Sequence, residues 1–213
     1  MNTASKLSVT GDEYKVPAND VMAELKVKGS RFIAQVFHVS SREEAEQVYD
    51  RVKKKYHNAT HNCFAYRIDA DQFRYSDDGE PSGTAGKPIL QALDGHELLE
   101  ALCVVTRYFG GTKLGTGGLI RAYGGAAELA LEKLTVRVKV RTVRYRLQLP
   151  YEQEPLIRRL LSNLDAAIVS ADYERGVTLV AAVPVSKGQN FESQLDDLKH
   201  LGIQREKIET PED

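Results

Sequence analysis

Apolar and β-branched residues crowd the stretch AELKVKGSRFIAQVFHV (23–39), and Lys28-Gly29-Ser30 interrupts them, which predicts two strands or one bulged strand. The period then changes. Behind Ser41 and Glu44, a capping-box pair, Ala45, Val48, Tyr49, Val52 and Tyr56 recur at helical spacing, so a helix is expected. HNCFAYRI (61–68) and QFRYS (72–76) read as a hairpin pair, and LCVVTRYF (102–109) is apolar enough for a central strand. Leu119, Tyr123, Ala127, Ala130 and Leu134 mark a further helix over about 117–134.

Near Thr142 the alternation slips. Val136, Val138 and Val140 occupy even positions, whereas Val143, Tyr145, Leu147 and Leu149 occupy odd ones. One continuous strand cannot bury both sets on one face, so the chain bends or changes domain there. Beyond the break the pattern reads strand 143–149, helix 152–163, strand 166–173, turn 174–176, strand 177–185, helix 190–200 and strand 203–209. That βαββαβ order is ferredoxin-like. The expectation is an α+β protein of two domains, 1–141 and 142–213.

Composition narrows the function classes. The 213 residues carry 29 basic and 30 acidic side chains, so no global charge favours nucleic acid. Locally, residues 103–150 hold Arg107, Lys113, Arg121, Lys133, Arg137, Lys139, Arg141, Arg144 and Arg146 against only Glu128 and Glu132. A basic surface of that kind suits a polyanionic partner. MNTASKLSVTGDEYK has no apolar core of signal-peptide length, and no stretch approaches a membrane span, so no membrane partner is expected. Two cysteines, Cys63 and Cys103, suit a reducing cytoplasm, the expected location. The oligomeric state stays open.

RYFGGTKLGTGGLIRAYGGA (107–126) holds seven of the sixteen glycines. It is neither a Rossmann fingerprint, because Ile120 stands where the third glycine belongs, nor a Walker loop, because Gly115 is followed by Thr116-Gly117. Two readings remain. In one, the amides of Gly115, Thr116, Gly117 and Gly118 form an anion nest at a helix start, with Lys113 and Arg121 adding charge. In the other, Gly124 and Gly125 allow close helix–sheet packing and the remaining glycines supply turns.

SDDGEPSGTAGKPIL (76–90) is the second unusual run. Asp77, Asp78 and Glu80 suit a divalent ion or acid–base work, while Asp78-Gly79 equally suits a plain turn. His57, His61 and Cys63 lack a fourth zinc ligand, and Ser82 is not in a G-x-S-x-G elbow. RGVTLVAA (175–182) starts like an RNA-recognition signature, yet Val177, Leu179 and Ala182 replace its stacking aromatics.

Taken together, KGSRFIA (28–34), ATHNCFAY (59–66), DDGEPSGTAGKPIL (77–90) and VVTRYFGGTKLGTGGLIRAYGGA (104–126) resemble the IMPACT family in its bacterial YigZ branch. The resemblance implies an N-terminal domain like ribosomal protein S5 domain 2 and a ferredoxin-like C-terminal domain like elongation factor G domain V. It also implies nucleic-acid or ribosome binding. Eukaryotic members regulate translation through an additional domain ahead of these motifs; here the first motif begins at Lys28, and whether the stress-kinase role applies stays open. The expected function is a non-enzymatic, cofactor-free protein that binds RNA or a ribosomal assembly and regulates translation. Arg107, Lys113, Arg121 and Lys87 would contact phosphates beside the amides of residues 115–118. The alternative is an Mg²⁺-dependent phosphoryl-transfer or phosphohydrolase enzyme using Asp77, Asp78 and Glu80.

Overall fold

Alternating and continuous apolar runs assemble the first part of the chain into one five-stranded sheet. A computed structural model describes residues 11–174 and 176–208; readings that fell on residues 1–10, on Arg175 and on Glu209 lie outside it. Contacts divide the described chain into a first unit, residues 14–139, and a second made of residues 11–13 and 140–208.

In the first unit β2 (Val21–Val27) and β3 (Ser30–His38) form a hairpin, and β4 (His61–Arg67) pairs with β5 (Phe73–Ser76). The strand β6 (Ala101–Tyr108) lies between β3 and β4, giving the order β2-β3-β6-β4-β5 with every adjacent pair antiparallel. Residues 101–107 of β6 are buried because both faces of the sheet are covered. On one face Phe32, Cys63 and Val105 pack with Ile89, Leu93 and Tyr123. On the other, Phe64 and Val104 meet Ala45, Val48 and Val52 of α1 (Arg42–Lys55). Ser41 caps α1 by accepting from the Glu44 amide at 3.1 Å, and the Glu44 carboxylate reaches back to the Ser40 amide at 2.6 Å.

Two elements of this unit escaped the sequence reading. The helix α2 (Gly86–Gly95) buries Pro88, Ile89, Leu90 and Leu93, although its glycine and proline had read as loop. Pro88 falls in the first turn, where a missing N–H costs nothing. The strand β1 (Glu13–Pro17) pairs with β7 (Val136–Val140) as a separate ribbon. Val136, Val138 and Val140 are exposed, so the slip in alternation marks the end of a solvent-facing strand. The helix α3 (Gly115–Leu131) starts at the glycine run, earlier than the apolar spacing suggested.

The second unit contains β8 (Thr142–Leu149), α4 (Glu154–Asn163), β9 (Ala167–Asp172), β10 (Val177–Pro184), α5 (Gly188–Asp197) and β11 (Gln204–Ile208). Its sheet order, β11-β8-β10-β9, is the ferredoxin-like arrangement. Val177 and Leu179 are buried in the core of this unit. The α+β class, with an S5 domain 2-like unit followed by a ferredoxin-like one, stands as expected.

Candidate functional site

Strand register brings the four motif segments to one end of the five-stranded sheet. The Lys28-Gly29 turn joins Val27 to Ser30, Arg31 pairs with Tyr108, and His61 pairs with Arg107. The turn, the start of β4 and the loop from β6 into α3 therefore share one rim. The acidic loop after β5 is drawn to it as well. The Asp78 carboxylate accepts from the Asn62 amide at 2.7 Å, and the Asp78 carbonyl lies 2.8 Å from His61 Nδ1.

Two glycines lock the rim. A Cβ on Gly110 would overlap the Gly29 carbonyl and the Ser30 nitrogen, and one on Gly29, already at φ +82°, would lie 2.7 Å from the Gly110 carbonyl oxygen. The Gly110 amide also donates to Ser30 Oγ at 3.1 Å. By contrast, Cβ atoms at Gly124 and Gly125 would make ordinary contacts of 3.7 and 3.6 Å. Close approach is required between two loops, not between α3 and its neighbours.

Beneath the rim lies a buried polar cluster. Arg107 is 5% exposed and donates from Nη1 to Glu80 Oε1 at 2.5 Å, and Tyr123 of α3 donates to the same oxygen at 2.7 Å. His61 Nε2 stands 3.9 Å from it. The Arg107 guanidinium carbon lies 5.4 Å from the Phe32 ring centroid and 5.5 Å from that of Phe109, and among the described residues Arg107 Nε has no hydrogen-bond partner. Glu80 thus ties the acidic loop to β6 and to α3. Burial first, then the neighbouring Cys63 and Glu80, pushes the Tyr123 hydroxyl far up, so it is a permanent donor. Burial likewise raises the Cys63 thiol, which donates to the Asp77 carbonyl at 3.0 Å and is no nucleophile in this state.

The two helices that start at this end treat their first amides differently. The Asp77 carboxylate accepts from the amides of Gly83, Ala85 and Gly86 at 2.8–2.9 Å, filling the mouth of α2 with the protein's own anion. At α3 the N-cap residue, Leu114, supplies no side-chain bond. Gly115 adopts φ +70°, and Gly115, Thr116 and Gly117 are exposed, with Gly118 half-buried. Arg121 folds back over this turn, its Nη1 lying 3.6 Å from where a Gly117 Cβ would stand. A cation there adds to the positive end of the helix dipole.

Lys113, Arg121 and Lys87 are exposed and, among the described residues, make no ion pair or side-chain hydrogen bond. Lys28, in the turn that Gly110 abuts, joins them. Arg107 belongs to the layer below. Within the first unit the basic residues of this stretch are not all gathered at the rim. Lys133 follows the far end of α3, about 25 Å from Gly115 by helix rise. Lys139 pairs with Glu100, and Arg146 pairs with Glu206 in the second unit.

The weak metal candidates are occupied by protein. Asp77 serves backbone amides, Asp78 serves Asn62 and Lys53, and Glu80 is the buried partner of Arg107. Among the described residues no three His, Cys, Asp or Glu side chains gather as a metal set. Lys28 and Phe109 were not singled out from sequence. The signal for both was adjacency: each borders a glycine whose backbone meets the other's loop.

Residues 28–131 match a family model described as the Impact N-terminal domain, and residues 147–199 match one described as a domain of unknown function (DUF1949). The chain is 39% identical over 202 residues to the IMPACT family member YigZ of Escherichia coli (strain K12), covering 93% of this chain and 99% of that protein. It is 38% identical over 189 residues to an IMPACT family member of Haemophilus influenzae, covering 87% of this chain and 92% of that one. A solved structure titled as the crystal structure of a hypothetical protein superposes with a TM-score of 0.67 at 39% identity, over 93% of this chain and 98% of the other. No helix among the described residues is long and apolar enough to cross a membrane.

Proposed function

This chain belongs to the IMPACT family, and from that premise we propose that it is a cytosolic RNA-binding protein that acts on translation by docking its N-terminal unit on RNA or a ribosomal assembly. One observation carries the reading: at the rim, internal anions cap α2 and pair with Arg107, whereas among the described residues the α3 mouth and Lys113, Arg121, Lys87 and Lys28 have no anionic partner. A phosphate backbone supplies repeating anions at such a surface, and exposed amides with flexible cations are suited to hold it. The phosphoryl-transfer alternative draws on carboxylates that already serve backbone amides or Arg107.

The test is direct. Lys113→Glu combined with Arg121→Glu is expected to weaken binding of the full chain to structured RNA, and its co-sedimentation with ribosomes, at least tenfold, because each reversal replaces attraction by repulsion. Circular dichroism should be unchanged, since both side chains are exposed. Binding equal to that of the parent chain would remove the rim from consideration.

A further inference from the structure

Phe109 is 47% exposed at the rim, immediately before the Gly110–Gly29 lock. An exposed phenyl ring is a standing cost in water, and this one is held in place. Its backbone amide donates to Thr60 Oγ1 at 3.0 Å, and the Arg107 guanidinium lies 5.5 Å from its centroid. Arg107 is itself held by Glu80, and among the described residues its Nε has no acceptor. A cation against one face of an aromatic ring draws electron density toward it. The opposite face then becomes a better platform for an electron-rich ring.

We infer that Phe109 is a stacking platform for an unpaired base, purines preferred, so that the RNA taken at this rim is single-stranded there. The inference rests on the phosphate-binding reading of the same rim, with Lys113 and Lys28 holding the backbone while Phe109 holds a base. Recognition of single-stranded nucleic acid combines a cationic track with aromatic platforms. A duplex keeps its bases stacked internally and offers this ring nothing.

The chain contains no tryptophan, so Phe109→Trp introduces a single indole at the platform. Titrating that variant with oligoadenylate is expected to quench and shift its fluorescence, whereas heparin, which has charge but no bases, and duplex RNA should leave the signal unchanged. Phe109→Ala is expected to weaken oligoadenylate binding about tenfold to a hundredfold, with heparin binding and the salt dependence as in the parent chain. An indole signal indifferent to oligoadenylate, while the Lys113→Glu/Arg121→Glu variant has lost binding, would overturn the stacking role and leave the phosphate reading standing. Oligoadenylate binding insensitive to all of these changes would overturn both. A signal that answers heparin and oligoadenylate alike would also reject stacking, since it reports charge alone.

Discussion

Glu80→Ala is expected to destabilise the N-terminal unit by about 3–5 kcal/mol, read as a lowered urea midpoint. Removing this carboxylate leaves the Arg107 guanidinium, 5% exposed, without its acceptor, and strips the Tyr123 hydroxyl of its partner. Breaking one side of a buried pair costs far more than the pair contributes, because the surviving charge stays desolvated. The same reasoning predicts that Glu80→Leu with Arg107→Met lies within about 1–2 kcal/mol of the parent chain, since no buried charge remains. A single substitution as mild as the double one would show that water already solvates Arg107, contrary to the burial described above.

The second large effect concerns the glycines. Gly110→Ala is expected to cost about 3 kcal/mol, because the new methyl would meet backbone atoms of Gly29 and Ser30 that cannot rotate away. Gly124→Ala should instead be neutral or stabilise by up to about 1 kcal/mol. Its Cβ finds Pro88 at 3.7 Å, and alanine is the better helix former. Parallel urea titrations of the two variants decide the matter. Equal and small effects would mean that the two loops are not pressed together.

That contrast also shows what the residue pattern could and could not reveal. The question of why seven glycines gather over 107–126 has a divided answer. Gly110 serves contact with Gly29, eighty-one positions earlier, and no local pattern announces such a pairing. Gly115 serves a positive-φ entry into α3, which the position before an apolar helical repeat did suggest. The packing role offered for Gly124 and Gly125 was reasonable from helix logic, yet space for a Cβ exists at both. Strands and long helices were legible because period and burial coincide in them, as in β6 and α1. The helix α2 was hidden because glycine and proline at its start resemble loop residues, and the Asp77 carboxylate that accepts from its first amides lies outside the helix. Arg107 read as a phosphate contact because it stands among glycines; its partner, Glu80, is twenty-seven residues away, and only the fold brings the two together.

The rim's proposed chemistry is open to one decisive measurement: affinity of the full chain for a labelled oligoadenylate across a salt series, beside Lys113→Gln/Arg121→Gln. If these two cations neutralise phosphates, log affinity falls linearly with log salt, and the neutralised variant's line is shallower by about 1.4, or roughly 0.7 for each phosphate that is no longer neutralised. Parallel lines for the two proteins, or an affinity indifferent to salt, would contradict the claim that this end of the sheet holds a phosphate backbone.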